Sequence, residues 1–304
     1  MAEARALEVS PAEAGRRLDV FLAEKLSVSR AHTRRLLSRG AVRLGDRALG
    51  LSDKGLALHA GERLEVSETA GPEDEQIEPE PELPLRVLAE GPGWLAVDKP
   101  AGMPVRPRAP GERGSLLSAV VARYPALQGV GEGGLRSGVV HRLDVDSSGA
   151  LLVATGQLAW ERLRTAFRRR QVEKVYRAIA LGRLEDDGRV ELDLVTARHR
   201  PAVVRAARPG EARARPTATS WRVVEWLRGA TLLEVRTEGG FLHQVRASLA
   251  HLGHPLAGDA IYATGDDPSG AARHMLHASR VAFEEIEADC PDAPDFAALL
   301  GSLR

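Results

Sequence analysis

The chain has 304 residues, enough for more than one hydrophobic core, so it does not need the disulfide or metal staples of small scaffolds. Its 42 basic side chains balance 42 acidic ones, which argues against a protein that simply coats nucleic acid, and its single cysteine, Cys290, cannot form an internal disulfide. No apolar run approaches the roughly 20 residues of a membrane helix. The opening MAEARALEVSPAEAG lacks a signal-peptide core, so the expectation is a soluble, cytoplasmic protein with no membrane partner.

In chain order, residues 15–70 read as a small α/β module. Leu18, Phe21, Leu22 and Leu26 recur at helical spacing. Ser29 is a suitable N-cap for a second helix that runs out at Gly40. That helix carries Arg30, Arg34, Arg35 and Arg39 on a basic face. AVRLGDRAL alternates around Gly45-Asp46, a two-residue hairpin signal, and AGERLEV adds a turn and a strand. Residues 71–84, GPEDEQIEPEPELP, hold six acids, no base and four prolines, and read as a linker. Charge is segregated: Arg30 to Arg47 has six Arg against one acid, and Thr155 to Arg215 has fifteen bases against eight acids. Such blocks fit either a polyanion-binding face or two solvated faces.

Residues 85–304 read as a larger module rich in strands. WLAVDKP, ALLVA, KVYRAIALG, ATSWRVVEW and TLLEVRTEGG alternate or are wholly apolar, with Gly and Pro between them. Two helices stand out, about Leu158 to Arg170 with Leu163 and Phe167 inward, and about Leu242 to Leu252, stopped by Gly253. Many strands with few helices indicate an α+β fold on a mixed, mainly antiparallel sheet.

Three stretches have the residue types that chemistry uses. In SGVVHRLDVDSSGALLVA a charged centre, His141 to Gly149, interrupts two apolar runs, so a rigid scaffold presents Asp144 and Asp146 on a loop. Asp, Ser and Gly are also ordinary turn formers. In EKVYRAIALG, Lys174, Tyr176 and Ala178 share one face of a strand, and Tyr176 is either core packing or a platform for an unstacked base. In GGFLHQVRASLAHLGHPLAGDAIY, Leu242, Val245, Leu249 and Leu252 share one helical face and leave His243 and Arg246 on another, where the Arg either pairs with a carboxylate from elsewhere or is a surface residue. His141, His243, His251 and His254 show no HExxH or CxxC pattern, so no metal is expected.

In this order and spacing, the three stretches resemble the signatures of the RluA family of RNA pseudouridine synthases. WLAVDKPAGMPVRP resembles that family's strand and Lys-Pro-Ala-Gly turn, and the N-terminal module is similar to the S-four RNA-binding domain. The resemblance implies a cofactor-independent, monomeric isomerase acting on uridines in RNA, ribosomal RNA of the large subunit first among them. It makes Asp144 the catalytic aspartate, with Tyr176 against the flipped base and Arg246 paired to Asp144. Arg142 would enter the gap left in the stack, and His141, Lys174, His243 and Gln244 would contact substrate. Asp146 would be a turn residue, and Arg30, Arg34, Arg35 and Arg39 would grip phosphates. The chain departs from the family at Phe241-Leu242, where members carry Arg-Thr, and at Ala247-Ser248, where they carry Val-His; this bears on substrate affinity and target choice. Two alternatives remain at this level: a non-catalytic RNA-binding or ribosome-assembly factor on the same fold, and a hydrolase using His141 with Asp144.

Overall fold

The apolar runs of the larger module become the central strands of one sheet. The computed structural model describes residues 4–28, 30–67, 76–199, 201–265 and 267–304, with the backbone alone at positions 31, 32 and 35. The chain forms two units, residues 1–74 and 75–304.

In the larger unit the strands are β5 (Arg86–Gly91), β6 (Trp94–Lys99), β7 (Ser148–Ala154), β8 (Glu173–Leu181), β9 (Gly188–His199), β10 (Ala202–Ala206), β11 (Arg215–Leu227), β12 (Ala230–Glu238), β13 (Leu276–Phe283) and β14 (Ile286–Asp289). Their order across the sheet is β10-β9-β11-β12-β8-β13-β7-β6-β5, with β14 pairing β13 off this path. All pairings are antiparallel except the short parallel join of β13 to β7, where His277 faces Ser148 and Ala278 faces Gly149. That parallel join brings the two sequence-distant halves of the sheet together.

Every residue of β7 is buried, because helices cover both faces of the sheet. On one face Ala150, Leu152 and Ala154 meet Leu163 and Ala166 of α4 (Gln157–Arg168). On the other, Leu151 and Val153 meet Leu116, Leu117 and Val120 of α3 (Leu116–Arg123). Around β8 and β12 the same sandwich recurs: Ala178, Leu233 and Val235 pack against Val245 and Leu249 of α5 (Gln244–His251), and Ile179 and Leu232 against Phe296 and Leu300 of α6 (Pro294–Leu303). Each buried Leu here contributes roughly 1.5–3 kcal/mol of transfer free energy. The α+β fold on a mainly antiparallel sheet is as expected, but α3 and α6 add to the two expected helices. The α3 segment, LLSAVVAR, is buried from Leu116 to Val121 and so has little polar face to reveal its period.

The expected linker needs correction. Residues 71–75 lie outside the described ones, but residues 76–84 belong to the larger unit. Ile77 is buried, and the buried Glu80 carboxylate accepts hydrogen bonds from Arg113 Nε at 3.0 Å and Gly114 N at 2.6 Å. Acidic, proline-rich composition understated this segment because one isoleucine and one partnered carboxylate are enough to dock it.

The smaller unit has β1 (Arg5–Glu8), α1 (Leu18–Leu26), α2 (Arg30–Ser38), β2 (Val42–Leu44), β3 (Arg47–Leu49) and β4 (Arg63–Val66), in a sheet of order β1-β4-β2-β3. The Gly45-Asp46 hairpin forms as read, and Gly40, at φ 68°, ends α2. Ser29, the expected cap, lies outside the described residues. Leu18, Phe21, Leu22, Leu36 and Leu37 form the core with the strands.

Candidate active site

The charged interruption in the sequence is a loop that enters β7, an interior strand between β13 and β6. Three ties from elsewhere in the fold fix it. Lys99, fully buried at the end of β6, donates from Nζ to Val145 O at 2.8 Å, and also to Pro100 O and Met103 O at 2.7 and 2.9 Å. Burial pushes the Lys99 ammonium down to about 7, against the three carbonyls and nearby carboxylates that favour its charged form. Ser147 and Ser148 bond to buried histidines at 2.9 Å, His274 Nε2 and His277 Nδ1. Arg273 donates to Asp146 O at 2.9 Å and to Ser148 Oγ at 3.1 Å, and pairs with Asp295 of α6 at 2.7 Å. Gly149, at φ 113°, lets β7 approach β13 so closely that a Cβ would sit 2.2 Å from Ala278 O.

The loop so held points Asp144 at α5. Arg246 Nη1 donates to Asp144 Oδ2 at 3.2 Å, and His243 Nε2 lies 3.8 Å from the same oxygen. Arg246 was expected on a face separate from the helix core. It is instead 4% exposed, because α5 is buried from Gln244 to Leu249. The helix also starts later than expected: Leu242 precedes it and His243 takes the left-handed conformation at φ 54°. Sequence reasoning missed the second partner of Arg246. Asp259, fully buried, accepts from Nε at 2.7 Å and from Nη2 at 2.8 Å. Burial pushes the Asp259 carboxyl up, but the Arg246 pair outweighs this and holds it below the usual carboxylate range. The only sequence signal for Asp259 was its place in Gly258-Asp259 of the third signature.

Around Asp144 lies a cavity of about 510 Å³ lined by His141, Arg142, Asp144, Lys174, Tyr176, Phe241, Leu242, His243 and Gln244 among others, with Arg164, Arg168 and Arg170 contributing positive charge. That volume suits a nucleobase with part of its sugar. Arg142 is exposed at the mouth. The Tyr176 hydroxyl is pushed up to about 12 by burial, so it is neutral at any ordinary pH. Thus the cavity gathers all eight residues that the resemblance nominates around the uridine except Arg246, which reaches it through Asp144.

Three of these nominees are committed elsewhere. His141 Nε2 accepts from Leu152 N at 2.9 Å, and its ring stacks on Phe167 with centroids 4.5 Å apart. Burial pushes the His141 imidazole down to about 3, so it is neutral and turned into the sheet, which removes the geometry that a hydrolase using His141 with Asp144 needs. The Gln244 amide donates to Ala218 O, Thr219 Oγ1 and Glu238 O, and Lys174 Nζ donates to Gly239 O. The last two hold the 238–244 turn. The family departures are absorbed as packing: Phe241 and Leu242 join an apolar cluster with Leu192, Val204 and Tyr262, Ala247 packs on Leu194 and Val204, and Ser248 Oγ lies 3.2 Å from Thr219 Oγ1.

With the fold and the cavity described, comparison with known proteins supplies the class. The profile of the family described as RNA pseudouridylate synthase matches residues 93–251, the span from β6 to α5, and the chain belongs to that family. It is similar to an uncharacterized RNA pseudouridine synthase of Chloroflexus aurantiacus, 35% identical over 91% of this chain and 85% of that one. It is similar also to the ribosomal large subunit pseudouridine synthases D of Neisseria meningitidis, 32% identical over 96% of this chain and 79% of that one, and of Haemophilus influenzae, 31% identical over 98% and 94%. Its fold matches the solved structure of human RNA pseudouridylate synthase domain containing 1 with a TM-score of 0.59 at 23% identity, over 71% of this chain and 87% of that one. The enzyme is therefore an RluA-like isomerase that makes pseudouridine in RNA.

Proposed function

We propose that this enzyme isomerises uridines in large-subunit ribosomal RNA, with Asp144 as the catalytic carboxylate. The single observation that carries the assignment is Asp144 held in the cavity by a buried arginine, on a loop fixed at three points. The names of the Neisseria and Haemophilus relatives support ribosomal RNA as substrate. The reaction breaks the bond from ribose C1′ to uracil N1 and forms one to C5; N1 gains a proton and C5 loses one. No electrons are exchanged with another molecule, so the chemistry asks for a carboxylate, enclosure and a seat for the rotated base.

Each residue has a part in that sequence of events. A uridine must leave its stack at a cost of a few kcal/mol, and Arg142, exposed at the mouth, fills the vacancy. Tyr176 supplies a neutral ring beneath the base. Arg246 orients Asp144, and Lys174 and Gln244 shape the turn that closes the cavity floor. The small unit is read as S-four-like, with Arg34 and Arg39 among its contacts to phosphate; phosphate contacts position RNA without specifying sequence.

The test is to incubate the protein with unmodified large-subunit ribosomal RNA and assay pseudouridine. Wild type is expected to form it, and Asp144→Asn, which keeps shape but loses the charge, to be slower by at least roughly 10⁴-fold. Equal activity in the two proteins removes Asp144 from the chemistry. Modification of transfer RNA with none of ribosomal RNA overturns the substrate while leaving the enzyme intact.

A further inference from the structure

Arg246 has two carboxylate partners of unequal quality. It offers Asp259 the side-on pair of Nε and Nη2, at 2.7 and 2.8 Å, whereas Asp144 receives Nη1 alone at 3.2 Å. The Asp259 side chain is fully enclosed and that of Asp144 is 17% exposed. Asp259 is itself pinned, since Oδ1 accepts from Ile261 N at 3.1 Å and from Tyr262 N at 3.3 Å. Its turn is set by Gly258, at φ 76°, where a Cβ would fall 1.9 Å from Arg273 O. The guanidinium also lies over the Tyr262 ring, 5.2 Å from its centroid.

We propose that Asp259 is a positioning residue for the reaction: it occupies the bidentate edge of Arg246, so that Asp144 is oriented by one contact that it can give up to substrate. A planar guanidinium facing a lone carboxylate in an enclosed site closes on it with two parallel bonds, and both carboxylate oxygens are then tied. With Asp259 in place, the two best-directed N–H groups are already used. Asp144 Oδ1 is left without a bond to the arginine, and the positive charge is shared between two carboxylates. The arrangement rests on the reading of Asp144 as the catalytic group.

Asp259 is not among the residues that line the cavity, so its effect must pass through Arg246, and that can be measured. Asp259→Asn keeps the acceptor for Ile261 and Tyr262 but removes the charge that holds the guanidinium. Its kcat per folded enzyme is expected to fall roughly 10- to 100-fold, the scale of a catalytic group displaced by about 1 Å, with KM for RNA within about twofold of wild type. The double variant Asp259→Asn with Arg246→Ala is expected to be no slower than Arg246→Ala alone, because both lie on one chain of action. A residue with a purely structural part would leave kcat per folded enzyme unchanged, or its loss would add to that of Arg246; either result overturns the proposal. If Asp259→Asn does not fold, Asp259→Ser removes the charge with a smaller side chain, and a wild-type kcat per folded enzyme in that protein overturns it equally. Asp144→Asn serves as the control: if it stays active the Asp144 reading falls first, and if it is dead while Asp259→Asn turns over normally, the positioning role alone is wrong.

Discussion

At the scale of single residues, the site is a lesson in how polar side chains with catalytic credentials divide their labour. Asp144, Arg142 and Tyr176 line the cavity, and so do His141, Lys174 and Gln244, whose polar groups are spent on the backbone. Burial, with the Lys174 charge nearby, makes the His141 ring resist protonation down to about 3, whereas in the unfolded chain it takes a proton near its ordinary 6.5. Between these values the unfolded state binds more protons, so stability is whole above pH 6.5 and falls as pH drops through the window. His274, pushed down to about 4 by burial, acts in the same direction. Allowing for the solvent that reaches its edge, His141 is expected to cost about 1–2 kcal/mol at pH 4.5. Unfolding curves at pH 7 and 4.5 for wild type and His141→Gln check this: the variant keeps an acceptor for Leu152 N and should lose less stability on acidification. An equal loss means that His141 is protonated in the fold.

At the scale of elements, the loop that carries Asp144 depends on a segment more than a hundred residues away. The 273–277 stretch leading into β13 contributes Arg273, His274 and His277, which hold Asp146, Ser147 and Ser148 in turn. Arg273 also reaches Asp295 on α6, so the C-terminal helix is tied to the loop. Arg273→Ala is expected to cost about 2–4 kcal/mol of stability, since it frees the Asp146 carbonyl and Ser148 hydroxyl at once. It should also lower kcat at saturating RNA while RNA affinity holds. Thermal unfolding with single-turnover kinetics separates these effects, and a stability loss with unchanged kcat would leave Arg273 a scaffold residue without influence on Asp144.

At the scale of the whole molecule, two units share the work: one carries the chemistry, and the other presents a basic helix. Not all of that helix's arginines are equally available. Asp19 is fully buried, and burial pushes its carboxyl up, but hydrogen bonds from Arg30 at 2.7 Å and Arg17 at 3.1 Å outweigh this and hold it below its ordinary value. Arg34 is a looser neighbour at 3.7 Å. Removing Arg30 would take the shortest of the bonds to the buried Asp19, so it is a poor probe of RNA contact. Arg34→Ala with Arg39→Ala is expected to flatten the slope of log K against log salt by about 1 to 2 while kcat at saturation is unchanged. Titrations of RNA binding at several salt concentrations decide it, and an unaltered slope removes α2 from the phosphate contacts.

Features that depend on local order are legible along the chain. Alternation and apolar runs specified β6, β7, β8, β11 and β12, Gly45-Asp46 specified a hairpin, and an ordered string of signature residues specified the family and nominated Asp144, Tyr176 and Arg246 for its site. Features that depend on distance emerge with the folded packing. Whether Gln244 spends its amide on β11, whether His141 turns into the sheet, and which carboxylate takes the better edge of Arg246 are matters of what lies opposite across the sheet. Asp259 stands thirteen residues from Arg246 and Asp144 stands 102 residues from it. A spacing can announce that an arginine and two acids are present, but a bidentate bond at 2.7 Å against a single one at 3.2 Å comes from packing α5, the Gly258 turn and the β7 loop around one guanidinium.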